Sequence, residues 1–223
     1  MFKKEIYGIL FMFSLLLTGC FEIVEEVSLN EDGSGHITLT LNLSRSRTKL
    51  NSIMLLDSVN DYAVPSKAEI KQHFEEITNT IKGSKGISNV TDVLNMKDYI
   101  YTVSCDFATV DALNTVVSNF SSKDEVKKIK QQKHFNYDKN QHLFIRNYHY
   151  DLAKEFSKTN MADRKIFENA SYTTIYRFKN PIQSSKNSAA KISGNKKAIF
   201  LKVDAQDVIA NKNSIKNQIQ LQD

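Results

Sequence analysis

Cysteine, proline and glycine are all scarce in this chain, at two, two and seven among 223 residues, and tryptophan is absent. Two cysteines exclude a small domain stapled by a disulfide framework, so the fold must rest on its apolar core. So few prolines and glycines leave little punctuation for a domain boundary, and the chain has no Gly/Ser linker, low-complexity tract or repeat of fixed period. Neither sign of charge dominates: 30 Lys and Arg stand against 25 Asp and Glu, a formal net charge of +5. Nucleic-acid recognition asks for a dense basic stripe. The one short run, Lys127-Lys128-Ile129-Lys130 with Lys133, reads as a solvated face, so no nucleic-acid partner is expected. No apolar run reaches the ~20 residues of a membrane-crossing helix.

The signatures of chemistry are missing too. Gly33-x-Gly35 falls in a turn between two strands, not between a strand and a helix, which excludes a phosphate loop. The chain contains no Gly-x-Ser-x-Gly elbow, no His-Glu-x-x-His and no paired Cys-x-x-Cys. No cofactor and no metal is expected. The carboxylate pairs Glu25/Glu26 and Glu75/Glu76 are not placed to face each other across a cleft, as acid–base catalysis would require.

What the chain does have begins at its start. Lys3 and Lys4 give a positive leader, Ile6 to Leu17 a short apolar core, and small residues then lead into Cys20. That order fits a cleaved export signal. Leu17-Thr18-Gly19-Cys20 resembles the bacterial lipobox. The resemblance implies diacylglycerol transfer to the Cys20 thiol, cleavage after Gly19, and acylation of the new amino terminus, for example with palmitate. Residues 1–19 are thus expected to be a signal peptide, with Cys20 the lipidation site. Several acyl chains on one residue anchor stably where a single chain does not. With Cys20 acylated, Cys105 is left alone. It lies in Tyr99-x-Tyr101-x-Val103-x-Cys105-x-Phe107, a register in which cysteine behaves as a small buried hydrophobe.

The body of the chain alternates between two periodicities. Ile23, Val27 and Leu29 alternate with polar residues, although Val24 and Glu25 blur the start. Asn30-Glu31-Asp32-Gly33-Ser34-Gly35 supplies a tight reversal, and Ile37, Leu39, Leu41 and Leu43 return on one face. Residues 44–59 are predicted helical, with Leu55 and Leu56 widening the apolar side. Ser66-x-x-Glu69 is a capping box opening a helix whose apolar stripe is Ile70, Phe74, Ile77 and Ile81, ended by Gly83. A hairpin is predicted over 90–107, turning at Lys97-Asp98. A helix follows over 109–120, then a hairpin over 135–148 and a partly helical stretch over 150–169. Tyr172 to Phe178 reads as a strand, 191–203 as a last strand pair, and 204–210 as a helical turn. The order ββ, αα, ββ, α, ββ, α, ββ predicts an α+β domain: a twisted antiparallel sheet built from hairpins, with helices packed on one face. A single domain is expected over 20–210, with residues 121–132 the one possible break. Residues 211–223 are expected to be a polar, fraying C-terminal tail.

The Asp-Gly-Ser-Gly hairpin (Asp32 to Gly35) following Cys20 resembles a group of bacterial envelope lipoproteins that includes the mycobacterial LppM-like domain. The resemblance implies a domain that handles lipid-like envelope molecules. Tyr99, Tyr101, Tyr172 and Tyr176 are candidates to line a groove for such a ligand, against ordinary core packing. The expected function is a non-enzymatic, membrane-anchored envelope lipoprotein that binds a protein partner or a lipid-like ligand. Phe21, in place of an aspartate after the cysteine, leans towards the outer membrane. Two alternatives remain. One is an envelope hydrolase or metal-dependent enzyme built on His134, His142 and His149, with Asp138 and Asp151 nearby. The other is a structural subunit of an envelope assembly.

Overall fold

The computed structural model describes residues 21–59, 62–119, 133–148, 152–157, 164 and 167–223. The fold is α+β, and its frame is the first hairpin, β1 (Glu22–Leu29) and β2 (Gly35–Asn42), paired in register from Glu22↔Asn42 to Leu29↔Gly35. The reversal is fixed locally. Gly33 adopts φ +86°, which costs glycine nothing. The Asp32 carboxylate accepts both the Ser34 amide (2.9 Å) and the Ser34 hydroxyl (2.6 Å). Gly35 is required for a different reason. A Cβ there would sit 2.1 Å from the Ser28 carbonyl and 2.5 Å from the Phe107 ring.

A 3₁₀ turn, Ser44–Ser46, leads into a short helix, α1 (Arg47–Ile53). The predicted helix over 44–59 stops there. Leu55 is 85 % exposed and Leu56 is exposed as well, so neither widens a buried face. A two-residue ribbon follows, β3 (Ser58–Val59) with β4 (Tyr62–Ala63). Helix α2 (Lys67–Lys82) opens with the expected capping box: the Glu69 amide donates to Ser66 Oγ (3.2 Å) and the Ser66 amide to Glu69 Oε2 (2.7 Å). Its stripe narrows towards Ile81, which is fully buried, while Ile77 is left at the surface.

The second hairpin is β5 (Ile87–Asn95) and β6 (Ile100–Phe107), bulged between Ser88 and Thr91. Tyr99 lies in the turn and not on the strand. Its φ is +55°, its ring is buried, and its hydroxyl donates to Asn51 Oδ1 at 2.7 Å. Helix α3 (Val110–Asn119) buries Leu113 and Val116. The third hairpin is β7 (Phe135–Asp138) with β8 (Leu143–Arg146). Helix α4 (Leu152–Ser157) precedes β9 (Ser171–Phe178). The chain ends in β10 (Ile182–Ser185), β11 (Lys191–Ile192), β12 (Ala198–Asp204), helix α5 (Ala205–Ile209) and β13 (Asn217–Leu221). The possible domain break over 121–132 and the basic run Lys127–Lys130 lie outside the described residues.

Two sheets result. The larger has seven strands in the order β11-β12-β9-β1-β2-β6-β5, and the smaller four in the order β10-β13-β8-β7. Every pairing in them is antiparallel except one: β9 runs parallel to β1, with Glu25 opposite Thr174 and Val27 opposite Tyr176. Hairpin reasoning does not reach that pair, because a parallel partner requires a long crossover, here most of the chain.

Register places Ile23, Glu25, Val27 and Leu29 of β1 on one face with Ile37, Val103, Cys105, Phe107, Tyr176, Ile199 and Leu201. Helices α2 and α3 and the small sheet cover that face, and Ile81, Leu113, Val116, Phe135, Phe144, Ile182 and Ile219 close the core. The opposite face carries hydroxyl pairs, Thr40–Thr102 (3.1 Å) and Thr91–Ser104 (2.7 Å), and the ion pairs Arg177–Glu26 and Lys202–Glu22.

The C-terminal expectation is overturned. Residues 217–221 do not fray: β13 is a central strand of the small sheet, between β8 and β10. Ile215, Asn217, Ile219 and Leu221 are buried, Ile219 completely. The intervening Gln218 and Gln220 face outward, so a strand with one polar face reads as a polar tail.

Candidate functional site

The strongest concentration of buried polar chemistry among the described residues lies between the two sheets. Glu25 occupies a core-facing position of β1 and is 2 % exposed; Arg146, at the end of β8, is 4 % exposed. Arg146 Nε donates to Glu25 Oε1 at 3.0 Å and Nη2 to Oε2 at 2.8 Å, a two-pronged fit of guanidinium to carboxylate. The Tyr176 hydroxyl adds a second donor to Oε1 (2.5 Å) and the Tyr172 hydroxyl a second donor to Oε2 (2.8 Å). Both tyrosines come from β9, two residues either side of Thr174, the residue opposite Glu25. Arg146 Nη1 donates to the Asn147 carbonyl (2.6 Å), and the guanidinium lies 4.7 Å from the centroid of the Phe135 ring.

The electrostatics follow from that geometry. Burial pushes the Glu25 carboxyl up, but the Arg146 charge and the hydrogen bonds from Arg146, Tyr176 and Tyr172 outweigh it, and the net position lies below the ordinary carboxylate range. Burial and the Glu25 charge both push the two phenols up. Glu25 is therefore held ionised and the tyrosines held protonated. Each carboxylate oxygen already accepts two hydrogen bonds, so the group has no capacity left to take a proton from a substrate. The cluster is a clamp between sheets. It is arranged for position, not for acid–base chemistry.

The other predicted sites resolve as follows. The four tyrosines do not gather into a groove. Tyr172 and Tyr176 serve Glu25, Tyr101 packs 6.1 Å from the Phe74 ring, and Tyr99 is bound to Asn51, with β1 and β2 standing between it and the β9 pair. Cys105 is a buried free thiol, pushed up to about 11 by burial, with Asp106 adding to the effect, the opposite of an activated cysteine. His134 and His142 sit at opposite ends of the β7–β8 hairpin. The His134 carbonyl pairs with Asn147, beyond the last strand residue, whereas His142 is in the turn beside Asp223. They do not approach across it. His149 and Asp151 lie outside the described residues, among which no three His, Cys, Asp or Glu side chains converge to hold a metal.

Cys20 also lies outside the described residues, but the chain beside it is well held. The Phe21 carbonyl accepts the Ser171 amide (3.0 Å), and the Phe21 ring meets Phe167 edge-on at 5.7 Å. Phe167 in turn meets Phe156 edge-on at 5.6 Å. Strand β1 starts at the next residue, Glu22, whose carboxylate accepts from Thr173 (2.8 Å) and Lys202 (2.9 Å). No helix among the described residues is long and apolar enough to cross a membrane.

The Glu25 clamp had one signal in the sequence: a carboxylate in the apolar register Ile23-x-Glu25-x-Val27-x-Leu29. Its partner is 121 residues away and has no local mark.

No protein-family model matches the chain, and no curated protein does. Among solved structures it is similar to the folded domain of Mycobacterium tuberculosis LppM, determined by NMR. The two share 10 % identity and a TM-score of 0.41, over 93 % of this chain and 94 % of that one. A likeness of that degree does not carry an activity across.

Proposed function

We propose that this chain is a lipoprotein of the bacterial cell envelope, exported by residues 1–19, acylated at Cys20, and leaning to the outer membrane. Its role is non-enzymatic: it presents a rigid α+β domain at the membrane surface to a protein partner or a lipid-like ligand. The observation that carries this reading is the join between Leu17-Thr18-Gly19-Cys20 and the fold. The motif asks for a cysteine at the mature start, and the folded body begins one residue later with Phe21 packed on Phe167. With β1 starting at Glu22, the free tether is on the order of 7 Å at the extended rise per residue. Acyl chains on Cys20 would hold the body directly against the headgroups. The Glu25 cluster is fully satisfied and His134 and His142 are separated, so neither is arranged for catalysis.

In-cell crosslinking of the full chain, followed by identification of crosslinked proteins and co-purified lipids, tests the role. A reproducible protein crosslink supports the partner form and enriched lipid the ligand form. Recovery of neither, from a membrane-bound chain, would overturn the binding role.

A further inference from the structure

One cavity among the described residues stands apart from the Glu25 clamp. It is an open cleft of about 570 Å³ between the segment after β10 and the loop joining α5 to β13. Its walls carry Lys186, Lys212 and Lys216, together with asparagines and serines, and no carboxylate. None of the three ammonium groups has an ion-pair partner among the described residues, whereas Lys133, Lys202 and Lys71 elsewhere on the surface do. Three lysines on the walls of one cleft give it a positive character that favours an incoming anion.

The walls are also built to hold their shape. The Asn217 side chain is buried, and its Oδ1 accepts from the Ser185 hydroxyl (2.9 Å) and the Asn187 amide (3.0 Å). The Asn187 side-chain amide then donates to the carbonyls of Ser214 (2.8 Å) and Lys216 (3.0 Å). This lattice ties the two walls together across 27 to 32 residues of chain. The wall residue Asn213 donates its side-chain amide to the Asp207 carboxylate at 3.0 Å, which places one negative group behind this wall.

We propose that this cleft binds the phosphate group of an anionic ligand, with Lys186, Lys212 and Lys216 as its cationic contacts. The volume suits a diphosphate or a phosphorylated headgroup rather than a lone ion. One wall of the cleft is linked to the start of β1. Its wall residue Tyr148 packs on the same apolar cluster as Tyr172, and Tyr172 lies opposite Ile23. A phosphate presented there can come from a membrane headgroup or from a soluble molecule. The site deepens the ligand-binding role but does not depend on acylation of Cys20.

The test uses the full chain in neutral detergent. Pyrophosphate is titrated while the side-chain amide signals of Asn187, Asn213 and Gln218 are followed by NMR. Lys186→Gln/Lys212→Gln/Lys216→Gln is compared with Lys49→Gln/Lys67→Gln/Lys97→Gln, which removes the same charge elsewhere. The cleft variant should weaken binding by about tenfold or more and the control by less than about twofold, given that each lysine near a phosphate surface contributes a sizeable increment. A second arm compares vesicles of phosphatidylcholine with and without phosphatidylglycerol. Acyl insertion contributes alike to both compositions, so a cleft-dependent preference for phosphatidylglycerol identifies a headgroup. Pyrophosphate binding without that preference identifies a soluble phosphate. No shift with pyrophosphate, or equal loss in both triple variants, overturns the proposal and leaves the lipidation of Cys20 untouched.

Discussion

The Arg146 guanidinium rests two-pronged on the Glu25 carboxylate, at 3.0 and 2.8 Å, and so joins a core strand of the seven-stranded sheet to the end of a strand in the small sheet. Taking either charge away leaves the other buried and unmatched, at a typical cost of about 3–5 kcal/mol. Glu25→Gln and Arg146→Met should each destabilise the chain by that order in urea unfolding. Glu25→Leu/Arg146→Met/Tyr172→Phe/Tyr176→Phe, which removes every polar member, should recover most of the loss. If the quadruple variant is as unstable as the singles, the cost does not come from unmatched charge.

The same pair sets a pH dependence. The folded Glu25 carboxyl lies below its ordinary value of 4.5. Its contribution is therefore complete above that value and is lost as pH falls through the lowered folded one. Exposed carboxylates held down by local donors, Asp98 by Asn95 and Arg47 and Asp106 by Asn89 and His36, add to the same acid limb. Melting temperature should stay level from pH 7 to about 5 and fall below about 4.5, and the quadruple variant should show a shallower fall. An identical acid limb in both proteins would assign it to the surface groups alone.

How much was legible in the sequence depends on how local each signal is. The Asn30–Gly35 reversal and the alternation of Ile37, Leu39 and Leu41 lie within one hairpin, and that hairpin is present. The Ser66 capping box involves four consecutive residues and is also present. Strand β13 has only five residues, and its outward glutamines mask the apolar row. What establishes it is pairing with β8 and β10, which no local pattern reveals. Glu25 broke the alternation of β1 visibly, but the reason for it is Arg146, on a different sheet. The parallel β1–β9 pair and the Asn114 side chain, which pairs with both the amide and carbonyl of Phe135 at 2.8 Å, are tertiary in the same sense. Asn114 supplies β7, an edge strand, with the partner its outer side lacks.

Strand β13 gives a sharp contrast between a tail and a core element. Ending the chain after Lys216 should abolish cooperative unfolding, because it removes Ile219 and Leu221 from the core and uncovers the hydrogen-bonding edges of β8 and β10. A fraying tail would be dispensable. A truncated chain with an unchanged urea midpoint would restore that reading.

Cys105 should be inert in the folded chain. With its thiol buried and raised to about 11, labelling by a thiol reagent at pH 8 should follow global unfolding and become fast in denaturant. Rapid labelling under native conditions would point to local opening of β6.

The central claim is that the folded domain is tied to a membrane through Cys20, one residue before Phe21 enters the fold. Growth of expressing cells with an alkyne-tagged palmitate, followed by gel analysis and fractionation, reads it directly. The wild-type chain should carry the label and sediment with membranes, and Cys20→Ser should lose both. An unlabelled wild-type chain, or a Cys20→Ser chain that keeps its label, would contradict the claim.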